Sequence, residues 1–230
     1  MLRIPLVVMG LIALLWSPVA PGNSPEDENH SAEPLRILVF GDSLSSAYGM
    51  PESAGWPALL EERLAERERE WVVDNVSISG DTTAGGRARL PEVLERMDPA
   101  LVILALGGND GLRGLAPSAM RENLEAMVDA IDAAGAETLL LGIRIPPNYG
   151  RRYTERFEAV FTDLAAARDL AFEPFFLEDV LLEDGMLMDD GIHPSEAAQP
   201  HLLDAVWPRL KPMVEDAEAR KPPRDDHVAG

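Results

Sequence analysis

The residues of this chain that could do chemistry lie on short polar loops, and the first of them is Ser43. It follows an apolar run, residues 35–40, and the pair Gly41-Asp42. The branched residues of the run predict a buried strand, and the glycine lets the chain turn sharply at its end. Ser43 is then expected at the carboxyl edge of a sheet, where open α/β folds bind their ligands. A serine hydroxyl becomes a nucleophile when a base removes its proton, although one short motif fits an ordinary surface loop as well.

A base for this serine must come from a small set of imidazoles. The chain has four histidines: His30, His193, His201 and His227. The first and last lie in terminal segments that we predict to be disordered, and the third falls within a predicted helix. His193 is therefore the best candidate base, and Asp190 precedes it by three residues, so that one turn can carry both. A carboxylate in that position can hold the second ring nitrogen and stabilise the imidazolium.

An attacked carbonyl develops an oxyanion, which needs hydrogen-bond donors that are already in place. Ser43 and Gly80 can supply backbone N–H groups, and Asn109 can supply a side-chain amide. Taken one at a time, these residues also fit simpler roles: Gly80 as a turn glycine, Asn109 as a loop asparagine and His193 as the residue that leads into a helix. Their joint occurrence after successive predicted strands favours acyl transfer at one site.

Composition limits the other functions that a chain of 230 residues could have. The absence of cysteine excludes thiol nucleophiles, disulfides and cysteine-bound metals. The formal net charge of −20 disfavours nucleic acid and anionic membranes as partners, because like charges repel. Such acidity is typical of a well-solvated surface or of adaptation to a salty environment.

The two ends of the sequence are predicted to lie outside the folded domain. A basic start and an apolar run over residues 4–16 predict a secretory signal peptide, residues 1–22. An uncleaved membrane anchor is the alternative, although the run is short for a transmembrane helix. Residues 23–34 and 216–230 are charged and contain proline, which predicts a disordered lead-in and a disordered acidic tail. The domain itself is predicted to span residues 35–215.

Between these ends, short apolar runs alternate with helical patterns. The predicted strands are residues 35–40, 71–78, 101–106, 138–145 and 170–174. The predicted helices are residues 55–70, 84–97, 117–134, 153–169 and 195–214, the last kinked or interrupted at Pro200, Pro208 and Pro212. This alternation predicts a flavodoxin-like, three-layer α/β/α sandwich around a parallel sheet of five strands. In that strand order the first and third strands are neighbours, which would bring Ser43 close to Asn109.

Several motifs stand in an order that resembles a known family. They are Gly41-Asp42-Ser43-Leu44-Ser45, Gly80 after the second predicted strand, Gly107-Gly108-Asn109-Asp110, and Asp190-Gly191-Ile192-His193-Pro194. Together they resemble the SGNH (GDSL) hydrolases, and within them a bacterial group of multifunctional thioesterases, lysophospholipases and arylesterases. Further stretches that resemble this group are residues 56–60, 75–83, 108–114 and 147–153, and the resemblance covers about residues 35–210.

The resemblance implies the SGNH hydrolase fold and a set of roles. Ser43 would be the nucleophile, His193 the base and Asp190 the acid that orients it. Ser43, Gly80 and Asn109 would be the oxyanion donors. The implied reaction is hydrolysis of small acyl esters and thioesters, among them lysophospholipids, aryl esters and fatty acyl thioesters, through an acyl-Ser43 intermediate without a metal or cofactor.

With the predicted signal peptide, this implies a periplasmic or secreted serine esterase. We expect a monomer that is not stably inserted in a membrane once the signal is removed. A carbohydrate O-acetylesterase on the same scaffold and a non-catalytic binding module are the alternatives.

Two leucines follow the predicted oxyanion asparagine on a loop that contains Gly111 and Gly114. A loop with two glycines can move over a bound substrate, so we expect Leu112 and Leu115 to line a channel for the acyl tail. The alternative is that both leucines fill the core beneath the loop.

Overall fold

Five parallel strands form the centre of the fold. The computed structural model describes residues 33–220, so the predicted signal peptide and most of the predicted lead-in lie outside the described residues. The strands are β1 (Leu35–Gly41), β2 (Trp71–Asn75), β3 (Leu101–Ala105), β4 (Glu137–Leu141) and β5 (Ala171–Glu173). They pair in the order β2-β1-β3-β4-β5, and every pairing is parallel. This order is flavodoxin-like, which confirms the predicted fold class and the predicted pairing of the first and third strands.

Helices cover both faces of the sheet. They are α1 (Trp56–Leu64), α2 (Thr83–Met97), α3 (Gly108–Leu112), α4 (Pro117–Ala133), α5 (Arg151–Arg168) and α6 (Gln199–Ala219). α1 packs against α6, whereas α4 packs against both α2 and α5. The sheet lies between these two groups, which gives the three-layer sandwich. Within residues 33–220, no helix has both the length and the apolar composition needed to cross a bilayer.

The two central strands are the most firmly fixed part of the core. Residues 37–40 of β1 and 101–104 of β3 are completely buried. Their runs are continuously apolar because helices cover both faces of a parallel sheet. Burial of each such side chain stabilises the fold by about 1.5–3 kcal/mol. The loops that follow β1 and β3 therefore start from rigid positions.

The final helix differs from the prediction. α6 runs without interruption from Gln199 to Ala219, although Pro208 and Pro212 lie inside it. A proline inside a helix removes one backbone hydrogen bond and crowds the preceding turn. The helix continues past both prolines because Leu202, Val206 and Leu210, spaced four residues apart, are completely buried. Tertiary packing outweighs the local cost of the prolines.

The predicted start of the acidic tail, at residue 216, is wrong because packing extends α6 beyond it. Residues 216–219 belong to α6, and Ala217 is buried. Glu218 accepts hydrogen bonds from the guanidinium of Arg67 and from the indole N–H of Trp71. The domain therefore extends beyond residue 215, and the rest of the predicted tail, residues 221–230, lies outside the described residues.

The short helix α3 was predicted to be a loop. Glycine costs about 1 kcal/mol in a helix interior, so a segment that contains Gly108 and Gly111 carries little helical signal. Packing explains why Gly111 is needed. A Cβ atom there would lie 2.6 Å from the side chain of Ile145 and 2.7 Å from the ring of Phe157. Only glycine lets α3 approach these side chains so closely.

A buried carboxylate attaches α3 to the start of α2. Asp110 Oδ1 accepts a hydrogen bond from the Thr83 hydroxyl at 2.6 Å, and Oδ2 accepts one from the Thr83 backbone N–H at 2.8 Å. The side-chain amide of Asn123, on α4, donates to the same hydroxyl at 3.1 Å. Asp110 and Thr83 are 3% and 0% exposed, so these bonds take the place of hydrogen bonds to water.

Replacing Asp110 with alanine should therefore destabilise the fold. The Thr83 N–H and hydroxyl would lose their acceptor, and each unsatisfied buried group costs roughly 1–3 kcal/mol. We expect the free energy of unfolding, measured by urea denaturation, to fall by about 2–4 kcal/mol. Asp163→Ala is the control, because this exposed acid on α5 should change stability by no more than about 0.5 kcal/mol. Equal losses in the two variants would contradict the prediction.

Candidate active site

Three segments at the carboxyl edge of the sheet converge on one site. Ser43 lies in the turn after β1, and Asn109 lies in α3 directly after β3. Asp190 and His193 come from the long segment between β5 and α6. Ser43, Asn109 and His193 line the same cavity, as the predicted strand order requires.

A chain of hydrogen bonds joins Ser43, His193 and Asp190. His193 Nε2 lies 2.9 Å from Ser43 Oγ, and His193 Nδ1 lies 2.6 Å from Asp190 Oδ2. With a proton on Nδ1 donated to the carboxylate, Nε2 is free to accept the proton of the serine hydroxyl. Such an arrangement can turn the hydroxyl into a nucleophile at neutral pH.

The carboxylate of Asp190 is fixed by the turn that carries it. Its Oδ1 accepts hydrogen bonds from the backbone N–H groups of Ile192 at 2.9 Å and His193 at 3.0 Å. The pKa of Asp190 is lowered to about 2, first by the hydrogen bond from the His193 N–H and then by those from the His193 ring and the Ile192 N–H. Asp190 is therefore a carboxylate throughout the neutral range and holds the imidazole in one orientation.

The loop around His193 is closed by its own backbone. Gly191 has a φ of +66°, a conformation that favours glycine, and its N–H donates to the Met188 carbonyl at 2.9 Å. The Met188 N–H donates to the His193 carbonyl at 2.8 Å, and the Ser195 N–H donates to the Met186 carbonyl at 2.8 Å. The loop thus presents Asp190 and His193 from one tight turn.

Sequence reasoning missed Asp42, the residue before Ser43. Its carboxylate is only 1% exposed; Oδ1 accepts from the Leu44 N–H at 3.0 Å, and Oδ2 accepts from the Asn109 side-chain amide at 3.1 Å. Burial raises the pKa of Asp42 to about 6, although the bonds from Leu44 and Asn109 act in the opposite direction. The bond to Asn109 fixes the orientation of that amide. An acid placed directly at the end of a buried strand was the available signal.

The candidate oxyanion donors lie on three segments. Among residues 33–220, no acceptor is found for the backbone N–H groups of Ser43 and Gly80. The Asn109 amide gives one hydrogen to Asp42, which leaves the other for a ligand. Gly80 has a φ of +79°, and its carbonyl accepts from the Arg113 guanidinium at 2.9 Å. Gly80 itself is not among the residues that line the cavity beside Ser43.

A cavity of about 180 Å³ opens beside Ser43, and most of its wall is apolar. The apolar residues are Leu44, Leu112, Ile143, Ile145, Pro146, Leu177, Leu181 and Ile192. A larger cavity of about 530 Å³ shares part of this wall, namely Arg144, Ile145, Pro146 and Leu181. A few polar groups at the end of an apolar space are typical of a small-molecule site. Sequence reasoning found Leu112 but missed the other apolar walls, because no motif marks them.

Leu115 does not reach this cavity, which corrects the prediction made for it. Its side chain is 42% exposed, so it does not fill the core either. The Leu115 N–H donates to the Asp110 carbonyl at 2.9 Å, and the Leu115 carbonyl accepts from the Tyr153 hydroxyl at 2.7 Å. These bonds close the turn after α3 and hold Leu115 on the surface, whereas Leu112 lines the cavity.

The buried Asp42 predicts a pH dependence of stability. Its folded-state pKa of about 6 is above the ordinary value of 3.8, so the folded protein holds this proton more tightly than the unfolded chain does. The stabilisation is fully present below about pH 4 and is lost as the pH rises through about 6. Between pH 5 and pH 7.5, the free energy of unfolding of the wild type should fall by roughly 1 kcal/mol relative to Asp42→Asn, which cannot titrate.

Urea denaturation at steps of half a pH unit would measure this difference. Asp189→Asn removes one negative charge from an exposed position and is the control for the change in net charge. A gap between the wild type and Asp42→Asn that stays constant over this pH range would contradict the prediction.

The sequence of this chain is similar to a known family and to several named proteins. Residues 39–199 match the model of the GDSL-like lipase/acylhydrolase family. The chain is 54% identical to the esterase TesA of Pseudomonas aeruginosa over 178 residues, 77% of this chain and 89% of TesA. It is 46% identical to thioesterase 1/protease 1/lysophospholipase L1 of Escherichia coli over 178 residues, 77% of this chain and 84% of that protein.

A solved structure of an esterase matches the fold of this chain. The crystal structure of the esterase EstA from Pseudoalteromonas, inhibited by monoethylphosphonate, matches with a TM-score of 0.75 and 38% identity over 78% of this chain and 98% of EstA. The match confirms the fold, and the sequence relatives confirm the predicted resemblance. This chain therefore belongs to the GDSL-like lipase/acylhydrolase family.

Proposed function

We propose that this protein is a serine hydrolase that cleaves acyl esters and thioesters through a covalent acyl-Ser43 intermediate. The observation that carries the proposal is the unbroken hydrogen-bond chain from Ser43 Oγ through His193 to Asp190. An intact chain of this kind argues against a binding module without catalysis, because binding alone does not require it.

The reaction has two balanced halves. His193 Nε2 takes the proton of Ser43 Oγ while the oxygen attacks the substrate carbonyl, and Asp190 stabilises the imidazolium that forms. As the tetrahedral intermediate collapses, the alcohol or thiol leaves with that proton, and the acyl group remains on Ser43. A water molecule then gives a proton to His193 and attacks the acyl-enzyme, which releases the carboxylic acid and restores the hydroxyl.

The charge on the tetrahedral oxygen would be stabilised by three donors. They are the backbone N–H groups of Ser43 and Gly80 and the free hydrogen of the Asn109 amide. Asp42 supports this role, since its bond to Asn109 holds the amide in place before substrate arrives. Donors fixed in advance cost no reorganisation during the reaction.

Three observations bear on the substrate. The apolar wall beside Ser43 favours an acyl chain over a sugar, which argues against the carbohydrate O-acetylesterase alternative. The net charge of −20 disfavours highly anionic thioesters such as those of coenzyme A. The relatives include proteins named as esterase and lysophospholipase. We therefore propose lysophospholipids and simple esters as the physiological substrates.

The proposal extends to location and assembly. The apolar run over residues 4–16 supports export to the periplasm or medium, with the signal peptide, residues 1–22, removed. Mass determination of the purified mature protein would test the cleavage site. We further propose that the exported enzyme is a monomer, which sedimentation would test.

The first functional test concerns the nucleophile and its base. Ser43→Ala and His193→Ala should each lower kcat for p-nitrophenyl butyrate by about a thousandfold or more, because each breaks the proton path. An organophosphonate should label the wild type once, at Ser43, as identified by peptide mass spectrometry. Folded Ser43→Ala that keeps near wild-type kcat would refute the proposed mechanism.

The second functional test concerns selection of the acyl chain. Shortening Leu112 to alanine should remove apolar contact from the acyl tail. The transition-state stabilisation of octanoyl esters, calculated from the ratio of kcat/KM values, should then fall by roughly 1–3 kcal/mol, while that of acetyl esters changes little. Leu115→Ala is a matched control, because the same side chain lies on the surface outside the cavity. The quantity to compare is the octanoyl-to-acetyl ratio of kcat/KM. Equal ratios in the two variants would contradict a role of Leu112 in holding the tail.

A further inference from the structure

The catalytic histidine has a neighbour that the hydrogen-bond chain does not include. The ring of Tyr48 stacks on the imidazole of His193, with the ring centroids 4.2 Å apart and the planes inclined by 30°. Tyr48 follows Ser43 on the same turn, whereas His193 comes from the far end of the chain. Tyr48 is 46% exposed and does not line the cavity beside Ser43. The ring therefore contacts the imidazole from outside the substrate space.

The residues on either side of Tyr48 have positive φ angles. Ala47 has a φ of +54°, which is uncommon for a residue with a Cβ atom, and Gly49 has a φ of +75°. The Met50 N–H donates to the Ala47 carbonyl at 3.2 Å and closes this turn. Ala47 is 9% exposed, so packing holds the unfavourable conformation. A backbone conformation that is unfavourable by itself persists only where the surrounding structure holds it in place.

The same turn makes a second contact with the histidine loop. A Cβ atom at Gly49 would lie 3.2 Å from the terminal methyl group of Met188. The N–H of Met188 donates to the carbonyl of His193 at 2.8 Å. The turn therefore contacts the ring of His193 through Tyr48, and at Gly49 it comes close to Met188, whose N–H binds the His193 carbonyl.

The two hydrogen bonds of the imidazole leave one motion weakly restrained. The bonds to Ser43 and Asp190 hold the ring at its two nitrogens, on opposite sides. The bond to Ser43 is lost once Oγ carries the acyl group, and the ring can then rotate about its Cβ–Cγ bond. A flat ring stacked on the imidazole face opposes this rotation. It also presents its negative face to the imidazolium that forms during the reaction.

We propose that Tyr48 is a positioning residue for the reaction, whose aromatic ring holds the plane of His193 so that Nε2 stays aligned with Ser43 Oγ. This inference rests on the proposed function of Ser43 and His193. The contact with His193 is made by the ring of Tyr48, so we assign the role to the ring and not to the hydroxyl.

Three substitutions at Tyr48 distinguish the effect of the flat ring from the effects of side-chain volume and of the hydroxyl. Tyr48→Phe keeps the flat ring, Tyr48→Leu fills much of the volume without a flat ring, and Tyr48→Ala removes both. Steady-state kcat and KM for p-nitrophenyl acetate, the rate of Ser43 phosphonylation and the thermal unfolding midpoint would be measured for each. Phosphonylation reports the reactivity of Ser43 without the later steps of turnover.

Tyr48→Phe should stay within about twofold of the wild type in kcat, since the ring remains. Tyr48→Leu and Tyr48→Ala should lose about ten- to a hundredfold in kcat, because small misplacements of a catalytic group are costly. KM should stay within about twofold, since Tyr48 lies outside the cavity, and phosphonylation of Ser43 should also slow.

Other patterns would overturn the proposal. A rise in KM at constant kcat would make Tyr48 a substrate contact, and equal damage from Tyr48→Phe would assign the role to the hydroxyl. Wild-type kcat in folded Tyr48→Leu would show that a flat ring is not needed. If the wild type itself shows no Ser43-dependent turnover, the proposed function fails. If turnover depends on Ser43 but not on Tyr48, only this inference fails.

Discussion

The site depends on one partly buried interaction, the hydrogen bond between the carboxylate of Asp42 and the side-chain amide of Asn109. It joins the turn after β1 to the helix after β3, the two strands at the centre of the sheet. The carboxylate is costly to bury, and its pKa of about 6 is a sign of that cost. The bond from the Leu44 N–H offsets part of the cost and fixes the backbone on the far side of Ser43. One carboxylate thus positions the serine turn and the side-chain amide of Asn109 together.

The two acids of the site act in opposite environments. Asp42 is almost completely buried, and burial raises its pKa, whereas Asp190 lies on an exposed turn where backbone N–H groups lower its pKa to about 2. The exposed acid is therefore charged in any neutral solution and can support an imidazolium. The buried acid contributes through geometry, because a low-dielectric surrounding strengthens its directed hydrogen bonds.

Much of this arrangement could be predicted from sequence because it follows from where strands end. Apolar runs mark β1 and β3, and the flavodoxin-like strand order makes these two strands neighbours, so the sequence could place Ser43 and Asn109 together at one edge. His193 followed from elimination and Asp190 from its spacing. These inferences needed no side-chain packing, since strand order and chain connectivity are enough to make them.

What the sequence did not predict depends on contacts between distant segments. The glycine at position 111 of α3 is required only because Ile145 and Phe157 lie against it, and α6 continues past its prolines because a buried face holds it. Leu112 and Leu115 have the same side chain and differ by three positions, yet only the first lines the cavity. Neither local propensity nor periodicity could separate them.

The position of Leu112 in turn depends on α5 and on the 3₁₀ turn before it, Pro147–Tyr149. The Tyr149 hydroxyl donates to the Leu112 carbonyl at 2.7 Å, and the Tyr153 hydroxyl donates to the Leu115 carbonyl at 2.7 Å. The end of α3 and the turn after it are thus attached to a neighbouring segment by side chains, not by a strand ladder. Ser43 and Asn109 are positioned by the central strands, whereas Leu112, one part of the cavity wall, is held by Tyr149. A change in the segment that carries Tyr149 can therefore move this part of the cavity wall while Ser43 keeps its place at the end of β1.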